Sequence, residues 1–539
     1  GVFYFKIKNP IVKSINRLTS EDIKNLIEKE LKMSGLVLMD EKVIHALDSE
    51  FTKTSNVIPI SFKTDGSLTQ TSSAADEKTF SAIMDYCLKT ASLLGNEIIK
   101  GRVAPAPYSS GSKTPCNYCI YKSVCSFDSD TDSPRYLKAL KKDEIIEIIE
   151  KSENRVQADC ATFKRCGGCN LRHIKYEETL KMKQNAVQSL VNKTLKNKIR
   201  VEETIGMDNP YHYRNKAQYP VGLDKNGKPQ IGVFANRTHE IIPIEKCFIQ
   251  HPQSEKIAKE ILNYWVENKN SIYDEKTNKG LLRHIVIKIG FKTNEIMCIL
   301  VINGKKFPNE EGLVKFITNK FPCVKTIVKN VNMKNTNVIL GNENINLYGD
   351  GYIYDKLGEF IFKISPLSFY QVNPVQAEKL YNIGVKQAKI NKNDIVFDLY
   401  CGIGTISLFM SKYAKKVYGV EIVEQAVCDA NENAKLNNID NANFICGDTE
   451  VVLDDLINNK KIIPDVVMVD PPRRGLDVHS IDNILKIKPD RLVYISCNPA
   501  TLVRDLAKFE DVYEVSKIQP VDMFPFTSHV ECVAVMCIK

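Results

Sequence analysis

The chain has 539 residues, a formal charge of +9 and 16 cysteines. Its length excludes a single ordinary core and predicts two to four domains. Its apolar and charged fractions, 43% and 26%, exclude a disordered or fibrous chain, and the modest positive charge permits an anionic partner without requiring one.

Three blocks follow one another. In the first, residues 1 to about 145, "GVFYFKI" alternates like a strand. "SEDIKNLIEKELKMSGL" and "DEKTFSAIMDYCLKTASLLGNEIIKG" read as helices, and a loop leads into "CNYCIYKSVC". The second block, about 155 to 364, opens with "CATFKRCGGC" and runs through a helix, "YEETLKMKQNAVQSLVNKTLKN". It continues as β-type runs "RHIVIKIG", "EIMCILVING" and "CVKTIVKNV", split by turn residues. In the third, about 365 to 539, runs such as "DIVFDLY", "KVYGVEI", "NFICGD", "DVVMVDPP" and "RLVYISC" alternate with helical segments. Such alternation predicts a parallel sheet covered on both faces, with ligands at the carboxyl ends of its strands.

The strand ends of the third block carry the chemistry. Gly402 and Gly404, in "DIVFDLYCGIGTISL", let backbone approach a ligand closely, although a short G-x-G fits many nucleotide folds. Glu421, Asp448 and Asp470 close the next three strands. A full G-x-G-x-x-G is missing, and no Lys-Ser/Thr follows the glycines, which disfavours a pyrophosphate. Acids at three strand ends suit a neutral or cationic nucleoside, and S-adenosylmethionine fits. Cys497, in "LVYISCNPATLVRD", ends the next strand where a helix starts. A lone cysteine is more often a packing residue. A helix N-terminus, however, is expected to favour its thiolate. A thiolate there can add to carbon 6 of a pyrimidine and make carbon 5 nucleophilic. Glu531 is the candidate base for the carbon-5 proton, with His529 as its rival.

Cysteines are also clustered. Cys160, Cys166 and Cys169 with the distant Cys247 supply four thiolates, the usual complement of a [4Fe–4S] cluster, with a zinc site as the alternative. Clustered thiols in a long chain, no membrane-length apolar run and no signal peptide point to a cytoplasmic protein. "RHIKYEETLKMK" and "YHYRNKAQY" mix cations with aromatics, as contacts to single-stranded RNA require.

From about residue 155 onwards the chain resembles the RNA 5-methyluridine (uracil-5-) methyltransferases, in particular their iron–sulphur-containing 23S rRNA branch. The resemblance is carried by "CATFKRCGGCNLRH", "YRNKAQYPVG", "GLLRHIVIKIG", "SFYQVNP", "DLYCGIGT", "DPPRRG", "SCNPATLVRD" and "HVECVAV". It implies Cys497 as nucleophile and Glu531 as base. It implies Gln371, Tyr400, Gly402, Thr405, Glu421 and Asp470 around S-adenosylmethionine and the uracil, with Asp448 on the adenine side. Thr405 stands where the family often has Asn. It further implies Cys160, Cys166, Cys169 and Cys247 as cluster ligands and large-subunit ribosomal RNA as partner, with no membrane and no obligate protein partner. The expected fold is α/β: a Rossmann-like S-adenosylmethionine methyltransferase domain at 365–539, after an iron–sulphur, β-rich RNA-binding domain at 155–364.

Residues 1 to about 145 resemble instead the C-terminal end of the B-type subunit of the ATP-dependent helicase/nucleases, as a truncated nuclease-like α/β segment. Cys116, Cys119 and Cys125 match three cluster ligands of that family, whose fourth ligand and catalytic acids lie further upstream; Cys87 is a conceivable substitute. The chain opens on Gly1 rather than Met, and the small β-barrel usual before the cluster motif is not evident. A joined or deleted reading frame is therefore expected. Two other functions compete: a DNA helicase/nuclease accessory protein, and an RNA cytosine-5 methyltransferase. "SCNPAT" and Glu531 favour uracil.

Overall fold

A computed structural model describes residues 150–539 apart from Arg237, and of the earlier chain chiefly 32–63 and 72–99. Two compact units separate at Ile148/Ile149.

In the first unit, strand Val2–Tyr4 pairs antiparallel with Ser34–Leu38, and Ser34–Leu38 pairs parallel with Ala74–Ala75. Val37, Ile44, Ile58 and Ile60 form a small core. A helix spans Glu77–Ile99, close to the span its sequence predicts. Ser34–Gly35–Leu36, expected to end a helix, instead opens a strand. Cys116, Cys119 and Cys125 lie outside the described residues, and Cys87 is exposed on the long helix.

The second unit begins with helix α1 (Tyr176–Thr194) and a seven-stranded central sheet. Its strands are β1 (Lys216–Leu223), β2 (Pro229–Phe234), β3 (Ile241–Pro243), β4 (Leu282–Ile289), β5 (Ile296–Ile302), β6 (Val324–Val331) and β7 (Glu343–Tyr348), ordered β7-β6-β5-β4-β1-β2-β3. Every residue of β4 and β5 is buried; β5 accordingly reads as an unbroken apolar run instead of alternating, whereas β4 buries Arg283, His284 and Lys288 among its apolar residues. Helices α2 (Pro252–Glu267) and α3 (Glu310–Lys320) cover one face around Trp265. Val286, Met297, Ile299 and Val301 enter the core of the C-terminal domain from the other. Each such side chain contributes about 1.5–3 kcal/mol of burial.

A hairpin, β8 (Ile353–Leu357) and β9 (Phe360–Ile364), and helix α4 (Pro374–Gln387) lead into the second large sheet. Its strands are β10 (Ile395–Leu399), β11 (Lys416–Glu421), β12 (Ala442–Cys446), β13 (Val466–Val469), β14 (Arg491–Ser496), β15 (Tyr513–Val521) and β16 (Glu531–Ile538). Their order is β12-β11-β10-β13-β14-β16-β15, parallel except for β16, which runs antiparallel to both neighbours. The order reverses between β10 and β13, where an open α/β sheet leaves a crevice for ligand. This is the Rossmann-like α/β domain expected from the strand–helix alternation.

Helix α5 (Pro499–Phe509) follows β14 because Asn498 caps it, accepting from Ala500 N at 3.2 Å, and Pro499 occupies its first turn. Helix α1 packs on α5. Its Lys183 is buried against Asp522, so this cation of the expected RNA-contacting segment holds the fold together instead. Tyr213 and Tyr219, in the other expected RNA segment, are also core residues.

Candidate active site

The loop after β10 turns on two left-handed glycines, Gly402 (φ 55°) and Gly404 (φ 79°). A Cβ on Gly404 would stand 2.8 Å from the Phe444 ring, so this position tolerates only glycine. Tyr400 is also left-handed, at φ 68°, a conformation a bulky residue adopts only under constraint. Its hydroxyl lies 3.2 Å from Ser480 Oγ. At the end of β11, Glu421 accepts from Gly402 N at 3.1 Å through one oxygen and from Val423 N at 3.0 Å through the other. The carboxylate is thereby fixed in place, with lone pairs left for a ligand.

These residues line a cleft of about 550 Å³ at the sheet's switch point, together with Thr405, Asp448, Asp470, Tyr381 and Arg474. Six expected cofactor positions, Tyr400, Gly402, Thr405, Glu421, Asp448 and Asp470, thus share one cavity. Gln371 lines the adjoining pocket of about 340 Å³, with Arg214, Arg473, Thr527 and His529; Phe369 borders both cavities. Burial alone pushes the Asp470 carboxyl up to about 7. Beneath the cleft, burial likewise raises Asp398 to about 7, against a hydrogen bond from Ser407.

Cys497 follows β14 directly, and Glu531 opens β16. Because Ser496 pairs with Cys532 in that antiparallel ladder, the next step of register sets Cys497 opposite Glu531. Glu531 is only 4% exposed. Burial pushes its carboxyl up to about 8; Asp470 adds to the rise and Arg473 opposes it. Burial, Glu531 and Asp470 push the Cys497 thiol up as well, again opposed by Arg473. The sequence predicts a thiolate favoured by the helix N-terminus; instead desolvation and two carboxylates outweigh it. Sequence reading missed Arg473 as the local counter-cation, although two arginines after a strand-end "DPP" were a usable signal. The loop that presents it is held by α5. Asn498 Nδ2 donates to Arg473 O at 3.1 Å, Arg504 Nη2 to Arg474 O at 2.9 Å, and Leu476 N to the buried Asp505 at 2.9 Å.

The loop before Glu531 is fastened to the segment that follows Cys160, Cys166 and Cys169. Asn170 N and Leu171 N donate to Phe526 O at 3.0 and 2.9 Å. The Asn170 amide donates to Ser528 Oγ at 3.0 Å and accepts from Ser528 N at 2.9 Å. Arg172, paired with Asp159, stacks on Phe526, Phe248 and Tyr211.

Cys160, Cys166, Cys169 and Cys247 are free, half-buried thiols. Burial, then the charges of the other three, push Cys169 up to about 12, despite the opposing charge of Arg172. Burial likewise raises the Cys166 and Cys247 thiols, and the charge of Cys160 adds to both rises. Among the described residues, no three His, Cys, Asp or Glu side chains are arranged around a single metal ion.

The family described as tRNA (uracil-5-)-methyltransferase matches residues 175–539. The chain belongs to that family. An uncharacterized RNA methyltransferase of Clostridium tetani is 48% identical over 394 residues, 73% of this chain and 85% of that protein. Another, of Clostridium acetobutylicum, is 47% identical over 397 residues, covering 73% and 86%. Among solved structures, the Pyrococcus abyssi tRNA (uracil-54, C5)-methyltransferase in complex with S-adenosyl-L-homocysteine is similar at a TM-score of 0.58. It is 26% identical, over 72% of this chain and 88% of that one. This uracil-5 family member is therefore an S-adenosylmethionine-dependent RNA methyltransferase. Cys160, Cys166 and Cys169 precede the matched region, and Cys247, Cys497 and Glu531 lie within it. Among the described residues, no helix is long and apolar enough to cross a membrane.

Proposed function

We propose that this family member methylates carbon 5 of a uridine in large-subunit ribosomal RNA in the cytoplasm, with Cys497 as nucleophile and Glu531 as base. The observation that carries the reading is the pairing of a thiol and a buried carboxyl across one register step, beside a cleft walled by Tyr400, Glu421 and Asp470. S-adenosylmethionine, when bound, supplies an electrophilic methyl group on a sulphonium. Gly402, Glu421 and Asp448 are its proposed ribose and adenine neighbours, with Thr405, Tyr400 and Asp470 around the rest and Gln371 toward the uracil.

The target base must leave its stack to reach the strand mouth. Arg473 favours the Cys497 thiolate, whose sulphur forms a bond to carbon 6. The carbon 5–carbon 6 π pair moves toward the carbon-4 carbonyl, and carbon 5 becomes nucleophilic. Once carbon 5 carries the methyl group, Glu531 takes its proton, the ring double bond re-forms and the Cys497 sulphur departs with its bonding pair. Cys160, Cys166, Cys169 and Cys247 would hold a [4Fe–4S] cluster with a structural role, bracing the loop fastened to residues 526 and 528.

A second reading, transfer-RNA uridine, is favoured by the description of the family and by the Pyrococcus enzyme. Incubating the protein with unmodified 23S rRNA and with unmodified tRNA in parallel separates the two. Labelled 5-methyluridine in the rRNA alone supports the proposal; label confined to tRNA replaces it with the second reading. The cluster is tested by iron and sulphide content after anaerobic purification. About four irons per chain, lost with Cys169→Ser, are expected, and a metal-free wild type would refute it.

A further inference from the structure

Beyond the active site, a cleft of about 790 Å³ over strands β1 to β4 of the central sheet has no role in the reaction described above. We infer that it binds a second unpaired nucleobase of the same RNA, within a nucleotide or two of the target uridine. The inference rests on the RNA-methyltransferase reading and adds to it a binding site on the central sheet.

His284 lies at the base of the cleft, 7% exposed, and neither ring nitrogen has a hydrogen-bond partner. The backbone around it is irregular. Val301 pairs with His284 but Ile302 pairs with Leu282, so Arg283 is the extra residue of a β-bulge. On its other side His284 faces Pro220, which has no N–H for the ladder. Bulges and prolines inside a sheet mark places where side chains are re-aimed or another group approaches. Burial pushes the imidazole down to about 4, so near neutral pH the ring offers one donor and one acceptor. That is what the edge of a nucleobase requires.

The walls suit the same occupant. Phe234 stands between His239 and His284, its ring centroid 5.2 and 6.3 Å from theirs. Tyr273 lies under the Arg283 guanidinium at 4.5 Å. Flat aromatic surfaces beside unpartnered polar atoms are how unstacked bases are held. At the rim, Arg165 is paired with Glu240 and His239 with Glu275. Its histidines and acids form no group that could hold a metal ion among the described residues.

Proximity supplies the link to the target. Arg165 lines this cleft, whereas Gly167 and Gly168 line the pocket beside Arg473 and His529. From Arg165 to Gly168 the chain spans at most about 10 Å, so one short RNA segment can cross the loop and enter both.

The test uses the full chain and a substrate RNA carrying 4-thiouridine singly at each of the positions flanking the methylated uridine. Irradiation is expected to cross-link one or two of these positions to peptides containing Phe234 or Tyr273. Phe234→Ala should weaken RNA binding roughly 10- to 100-fold, the value of one aromatic stack, with S-adenosylmethionine affinity unchanged as the check on folding. Cross-links confined to other peptides, with RNA affinity of Phe234→Ala at the wild-type level, would overturn the inference while RNA methylation stands. A wild-type protein that neither binds nor methylates any RNA would overturn both readings together.

Discussion

Cys497 and Glu531 stand opposite one another one register step beyond the Ser496–Cys532 pair of an antiparallel ladder. The thiol ends one strand, the carboxyl opens its neighbour, and Arg473 is the cation that moderates both. A nucleophile and a base placed this way would act in sequence on adjacent carbons of one ring.

That division of labour separates the two substitutions. Cys497→Ala should abolish methyl transfer. Glu531→Gln should allow addition and methylation but block proton removal, so a covalent protein–RNA adduct accumulates. Denaturing electrophoresis with labelled RNA checks this: a retarded band with Glu531→Gln and none with Cys497→Ala is expected. A retarded band with Cys497→Ala would assign the nucleophile elsewhere.

The pH profile should reflect the same pair. Glu531, raised to about 8, is largely protonated at neutral pH in the free protein, and Cys497 is raised too. Both proposed roles use the deprotonated form, so kcat/KM is expected to climb as pH rises toward and through about 8. Arg473→Gln removes the charge that lowers both and should move the rising limb to higher pH. A limb displaced upward by about one on the pH scale leaves roughly tenfold less of the ionised form below it. A limb that does not move would remove Arg473 from this role.

How much of this was legible in the sequence depends on distance along the chain. The glycine turn, the strand-end acids and the cysteine before a helix are local patterns, and the structure gathers Tyr400, Glu421, Asp448 and Asp470 into one cleft. The strand–helix alternation likewise predicts the C-terminal sheet. What stayed hidden depends on tertiary burial. The rise of the Cys497 thiol comes from desolvation and neighbouring carboxylates, which the local helix signal could not reveal. The Asn170–Ser528 contact joins residues 358 positions apart. Lys183 reads as part of a cationic surface and is instead buried, because its partner Asp522 arrives from 339 positions away.

That buried pair gives a stability prediction. Lys183 and Asp522 are 2% and 0% exposed at the side chain, and Tyr176 donates to the same carboxylate at 2.7 Å. Lys183→Met leaves a buried carboxylate without its cation and should cost about 3–5 kcal/mol. Urea unfolding of the two proteins measures it; a loss below about 1 kcal/mol would mean the pair is open to water.

Asp398 predicts an opposite trend with pH. Its carboxyl is raised to about 7 in the folded protein, above the unfolded value near 4. The folded state therefore holds a proton that the unfolded state has lost, and this site reduces stability as pH climbs from about 4 to about 7. Asp398→Asn should flatten that fall by one proton's worth of slope. Thermal unfolding across the window checks it, and parallel curves for the two proteins would contradict the assignment.

The most direct test of the central claim is methyl transfer from labelled S-adenosylmethionine to unmodified large-subunit ribosomal RNA, followed by digestion and nucleoside separation. Wild type and Cys497→Ala are run together. The account predicts label in 5-methyluridine with wild type and none with the variant. Label in 5-methylcytidine, or 5-methyluridine formed equally by Cys497→Ala, would contradict it.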